Sequence, residues 1–122
     1  MNKIRIESED IKITLDVDFI DNPTADKIQE YLPIVSTVST WGNEIYFDTG
    51  IKLPVQDATL DVNVGDVAYW PEGKCLCIFF GATPASTNAK PVPASEVVIV
   101  ARSNVTPEAL RLVAPGARII VE

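Results

Sequence analysis

Residues 65 to 81, Gly65-Asp-Val-Ala-Tyr-Trp-Pro-Glu-Gly-Lys-Cys-Leu-Cys-Ile-Phe-Phe-Gly81, narrow the choice of fold more than any other stretch. Val67 to Trp70 is a short run of β-formers. Pro71 and Gly73 suit the second and fourth positions of a type I turn. Cys75 to Phe80 then forms an apolar run, too short for a helix and rich in aromatics. A strand buried on both faces reads this way.

The flanking segments repeat the β signal. Lys3 to Ser8 places Ile4 and Ile6 on one face, and Ile11 to Val17 places Ile11, Ile13, Leu15 and Val17 on one face. Strict alternation marks half-buried strands, and Ser8-Glu9-Asp10 closes a hairpin between them. Asn22-Pro23 opens a helix of two to three turns, with Asn22 as cap and Pro23 at the first helical position. Ala25, Ile28 and Leu32 share its face, and Pro33 disfavours helical geometry at Leu32 and stops it. Ile34 to Ser39 is a strand, interrupted by Trp41-Gly42-Asn43 as a bulge or turn. Glu44 to Thr49 alternates, sending Ile45 and Phe47 one way and Glu44, Tyr46 and Asp48 the other. Residues 50 to 60 read as an irregular loop, and Leu60, Val62 and Val64 as a short edge strand. Residues 81 to 95 lack any period and carry three prolines; a loop of that length in a compact domain is usually functional or mobile. Glu96 to Arg102 and Arg118 to Glu122 are strands, separated by a short helical turn that starts at Thr106-Pro107-Glu108.

About eight short strands with one good helix and one poor one describe a mainly β domain over residues 1–122. Closing the sheet into a barrel removes exposed edges, and eight strands leave an interior that side chains fill. The helices then cover the barrel ends. An open sandwich is the alternative. With 47% apolar and 22% charged residues, a chain of this length buries roughly two-thirds of its unfolded surface and folds without staples.

The net charge of −7 disfavours nucleic acid and anionic membrane as partners. No stretch is long and apolar enough to span a bilayer. The opening Met1-Asn-Lys-Ile-Arg-Ile-Glu has no signal-peptide apolar region, so a cytoplasmic location is expected. Cys75 and Cys77 point to the same face of a strand, ~6.6 Å apart, and are expected to be reduced core thiols. A structural zinc site needs four ligands, and with no His and no further Cys neither metal nor cofactor is expected.

Several segments carry a family resemblance. Thr40-Trp-Gly-Asn-Glu-Ile-Tyr-Phe47, Gly65-Asp-Val-Ala-Tyr-Trp-Pro71, Cys75-Leu-Cys-Ile-Phe-Phe-Gly81 with Thr83-Pro-Ala-Ser86, and Pro93-Ala-Ser-Glu-Val97 resemble the small prokaryotic cyclophilin-like proteins. The resemblance covers nearly the whole chain. It implies the closed eight-stranded barrel of the peptidyl-prolyl isomerases, in a group whose function is largely unassigned. Asn22-Pro-Thr-Ala-Asp-Lys-Ile28 also resembles the first helix of the active enzymes. Their Phe-His-Arg run, whose Arg is catalytic, corresponds here to Trp41-Gly42-Asn43. The Arg is absent, and the Gln, Phe and His of their proline pocket have no evident counterparts.

Three functions remain for such a chain. The first is a binding module for a peptide or small molecule, in a cleft lined by Trp41, Glu44, Tyr46, Tyr69, Trp70 and Phe80 and rimmed by Asn43 and Thr83. Aromatics beside turns suit a groove. The second is a weak or altered prolyl isomerase. Rotating an amide breaks its resonance and needs a donor to the twisted bond, and Asn43 is the one donor in place. The third is a structural protein whose cleft is vestigial. Without His, Ser-His-Asp and Cys-His chemistry is excluded. Glu44 is the best lone acid, because an aromatic setting raises a carboxyl pKa, although a carboxylate on the polar face of a strand is ordinarily solvated. Neither the ligand nor the oligomeric state can be read from the sequence.

Overall fold

In the computed structural model, which describes residues 2–122, the alternating segments pair as their periods require. Ile4 and Ile6 on β1 (Asn2–Glu7) and Leu15 and Val17 on β2 (Lys12–Phe19) are all buried. The two strands are antiparallel, in register from Asn2 opposite Val17 to Glu7 opposite Lys12. The helix α1 (Pro23–Glu30) begins where Asn22 caps it, with Asn22 Oδ1 accepting from the Ala25 N–H at 2.7 Å. Its Ala25 and Ile28 join the main core.

The remaining strands are β3 (Ile34–Thr37), β4 (Ser39–Thr40), β5 (Glu44–Asp48), β6 (Asp66–Trp70), β7 (Cys75–Phe79), β8 (Val98–Ser103) and β9 (Arg118–Val121), with the short helix α2 (Pro107–Leu110) before β9. All lie in one antiparallel sheet, ordered β3-β9-β1-β2-β8-β6-β7-β5-β4. The two ends of that order, β3 and β4, are consecutive in the chain with only Val38 between them. The sheet therefore curls into a nearly closed barrel.

The expectation of a closed barrel of eight strands is corrected to nearly closed and nine. The excess comes from the single run expected over Ile34 to Ser39. Val38 leaves the ladder there to exchange backbone hydrogen bonds with the 116–117 turn: its N–H donates to Ala117 O and its carbonyl accepts from the Gly116 N–H, both at 2.8 Å.

Two other local expectations differ. Leu60, Val62 and Val64 form no strand; one isolated bridge joins Thr59 to Val97. Side chains claim the backbone donors instead, Thr59 Oγ1 taking the Asp61 N–H at 2.9 Å and Asp66 Oδ2 taking the Asn63 N–H at 2.8 Å. The turn between β6 and β7 starts one residue later than expected. The Lys74 N–H donates to Pro71 O, and Lys74, not Gly73, takes the positive φ of 53°. Thr106 opens α2 without a side-chain cap bond, although Leu110 and Val113 are buried as expected.

The sheet buries both faces along β5 to β8. Inward residues, among them Phe47, Tyr69, Leu76, Ile78 and Val100, form the barrel core. On the opposite face Val62, Ala68, Cys77, Phe79 and Val97 form a second cluster, joined by Tyr46, Trp70 and Ile99. β7 is buried throughout for this reason. Among the described residues, no helix is long and apolar enough to cross a membrane.

Candidate functional site

The outer cluster is incomplete at one end, and there the chain leaves a pocket of about 170 Å³. Its first wall is the β4–β5 turn. Trp41 and Glu44 exchange backbone hydrogen bonds at 2.9 and 3.2 Å, and Gly42 takes φ +60° at the first central position. That is the type II′ pattern of two-residue hairpins. A Cβ on Gly42 would lie 2.8 Å from Pro84 Cδ and 3.0 Å from Thr83 Cα, so the turn is pressed against the start of the 81–95 segment.

Alternation then sets the floor. Glu44 pairs with Phe79 and Tyr46 with Cys77, which puts all four side chains on the outer face. Trp70 ends β6 on that same face. Its indole N–H donates to Ser95 Oγ at 2.6 Å, and the Ser95 hydroxyl donates to Glu72 Oε2 at 3.0 Å. The far wall is Pro93, Ala94 and Val97. Val97 reaches the outer face because the β6–β8 register shifts between Val67, opposite Ala101, and Ala68, opposite Ile99, leaving Val100 as an extra residue. Such a bulge reverses the facing of every residue beyond it.

Gly73 fixes the position of Trp70. A Cβ there would lie 2.4 Å from Trp70 Cζ3 and 2.5 Å from Cε3, so the indole lies directly over the glycine. Gly73→Ala is expected to displace the ring, disturb its bond to Ser95, shift tryptophan emission and cost ~1–3 kcal/mol of stability by overpacking. Unchanged emission and an unchanged urea midpoint would remove Gly73 from this role.

Glu44 is the unusual member. It is only 6% exposed, and its Oε1 is buried without a hydrogen-bond partner. Burial pushes its carboxyl up from the ordinary value of 4.5 to about 7. The Cys77 thiol opposes that shift by hydrogen bonding, but it is a weak donor and leaves Oε1 unsatisfied. Burial also pushes the Cys77 thiol well above its ordinary range, and the neighbouring Glu44 adds to this. Cys77 is therefore a poor nucleophile. The expectation of a solvated carboxylate on the polar face of β5 is overturned here, because Trp41, Trp70 and the 93–97 segment cover that face.

Of the eight residues singled out from the sequence, Trp41, Glu44, Tyr46 and Trp70 meet at this pocket. Tyr69 does not. It is 1% exposed inside the barrel, where its hydroxyl donates to Ile51 O at 2.7 Å and accepts from the Leu53 N–H at 3.3 Å. Phe80 is also in the barrel core. Asn43 ties the turn to the long segment: its backbone N–H and its Nδ2 both donate to Ala82 O at 3.0 Å, and its carbonyl accepts from the Phe80 N–H. Thr83 is buried and staples the same segment, donating from Oγ1 to Val92 O and holding Ser86 through its own N–H. The sequence reading missed Cys77, Pro93, Ala94 and Val97. Cys77 is buried as expected of a core thiol, and its pairing with Tyr46 places it on the pocket floor. Among the described residues, no three Cys, Asp or Glu side chains converge as metal ligands would.

Comparison with known proteins agrees with this fold. A family model described as Cyclophilin-like matches residues 2–122. A hypothetical protein from Archaeoglobus fulgidus, solved in solution, is 36% identical. The match covers 98% of this chain and 92% of that one, with a TM-score of 0.72. The protein McbB, solved in complex with tryptophan, shares the fold at 16% identity and a TM-score of 0.68. This chain is covered in full but spans only 44% of McbB. No curated protein matches the chain.

Proposed function

This chain belongs to the cyclophilin-like family, and we propose that it is a binding module that takes a small molecule, or one side chain of an extended peptide, into the outer-face pocket. The observation that carries this reading is Glu44, a buried carboxyl whose Oε1 has no partner among the described residues, placed among Trp41, Tyr46 and Trp70. A buried polar atom without a hydrogen bond costs roughly 1–3 kcal/mol. A ligand that supplies the missing donor recovers that cost. Drug-sized ligands occupy pockets of about 300–1,000 Å³, so a volume of about 170 Å³ suits a small occupant. McbB, with the same fold, has been solved holding tryptophan, which makes small aromatic amino acids reasonable probes.

The prolyl isomerase reading is weaker. The carboxamide of Asn43 is bonded to Ala82 O and packs on Gly81, and Asn43 does not line the pocket.

The test is a titration of the whole chain with a panel of small aromatic and amine fragments, tryptophan among them, followed by the indole N–H signals of Trp41 and Trp70. Saturable shifts of both with at least one fragment are expected. An X–Pro peptide should isomerise at its uncatalysed rate. Indole signals that ignore the entire panel would overturn the binding reading in favour of a structural role.

A further inference from the structure

We infer that the pocket is built for an organic ammonium group, held between the faces of Trp41, Tyr46 and Trp70 and the carboxylate of Glu44. This rests on the pocket being a binding site and names the chemistry of its occupant.

Three observations converge. Three of the eight lining residues are aromatic, Trp41, Tyr46 and Trp70, and the ring faces of Trp and Tyr attract cations through their quadrupoles. The indole N–H of Trp70 is already given to Ser95, so this ring has only its π surface and carbon edge left for a ligand. The floor is an acid more than nine-tenths buried with an unpartnered oxygen, and among the described residues no Lys or Arg lines the pocket to neutralise it. A charge so deeply buried is costly unless it is paired. A ligand cation provides that pairing and an N–H donor or a polarised methyl for Oε1. An anion would meet rings, apolar side chains, the Cys77 thiol and a carboxyl, with no cation among them. The net charge of −7 raises the local concentration of cations further.

Binding is therefore linked to the ionisation of Glu44. The titratable groups facing it are Cys77 on β7 and Tyr46 on its own strand, with Cys75 one pair further along; the 93–97 segment adds none to the lining. None of them is a cation at neutral pH. The ligand's charge thus takes the place of the carboxyl proton, and affinity rises with pH.

Two sources carry this chemistry, a free small ammonium compound and the lysine or methylated lysine of another protein. The experiment uses the full chain at pH 8 and compares tetramethylammonium and choline with 3,3-dimethylbutanol, the uncharged isostere of choline, by calorimetry and tryptophan emission. A second arm offers short peptides containing lysine or trimethyl-lysine. The cations are expected to bind at least about tenfold tighter than the isostere. Glu44→Gln should remove that preference, and lowering the pH to 5 should weaken the cations alone. A tighter peptide than free choline assigns the source to a protein, and the reverse assigns it to a small molecule; either result supports the inference. Equal binding of cation and isostere overturns it and leaves the binding reading standing. Failure of every probe, here and in the fragment panel, overturns both.

Discussion

Glu44→Gln is expected to stabilise the protein at pH 8, on the order of 3 kcal/mol relative to wild type, and to leave it nearly unchanged at pH 4. The carboxyl holds its proton to about pH 7 when folded, against 4.5 ordinarily. Below pH 4.5 both folded and unfolded chains carry the proton, and nothing is lost. Between 4.5 and 7 the unfolded chain ionises while the folded one does not, so stability falls as pH rises. Above 7 the loss is complete, at ~1.4 kcal/mol for each tenfold difference in proton affinity. Glutamine cannot ionise and escapes this loss. Urea unfolding of both proteins at pH 4 and pH 8 measures it. Equal stabilities at both values would mean that the carboxyl is hydrated and that the pocket floor is not dry.

Phe80→Ala is expected to cost ~3–5 kcal/mol, the usual range for truncating a buried aromatic. The side chain is 3% exposed and packs in the barrel core, facing away from the outer pocket. Domains of this size are stable by only about 5–15 kcal/mol, so the variant should unfold at far lower urea while its remaining folded fraction keeps the tryptophan response to ligand. A loss under ~1 kcal/mol together with a lost response would return Phe80 to the pocket wall.

These two residues show where the sequence is legible and where it stops. Period-two patterning placed Ile4, Ile6, Leu15 and Val17 inside, and a single Asn-Pro pair placed the start of α1, because both signals are local. The aromatics near the turns were found by the same local logic. Tyr69 and Trp70, however, are neighbours on one strand and must face opposite ways. Grouping them in one cleft set that alternation aside, and the barrel took Tyr69. Phe80 fails for a related reason: Phe79 pairs with Glu44 on the outer face, so Phe80 turns inward.

The rest of the pocket depends on distant contacts. Val97 lines it only because of the extra residue at Val100, and a bulge leaves no mark in the spacing of Val97-Val-Ile-Val100. Pro93 and Ala94 reach it through the hydrogen bonds of Thr83, Ser86 and Asn43. The burial of Glu44 is a sum of these placements. Its position on the polar side of an alternating strand predicts the opposite.

The chemistry of the site follows from that burial. Cys77 is too protonated to attack, no histidine is present, and the one acid has no base or cation beside it. The proposed binding role rests on these features. The most direct measurement is an NMR titration of the Glu44 side-chain carboxyl carbon, with and without a saturating organic ammonium. A midpoint near pH 7 is expected in the free protein, with a clear drop when the ammonium is bound. A midpoint near 4.5 that the ammonium does not move would rule out a buried, ligand-linked carboxyl at this site.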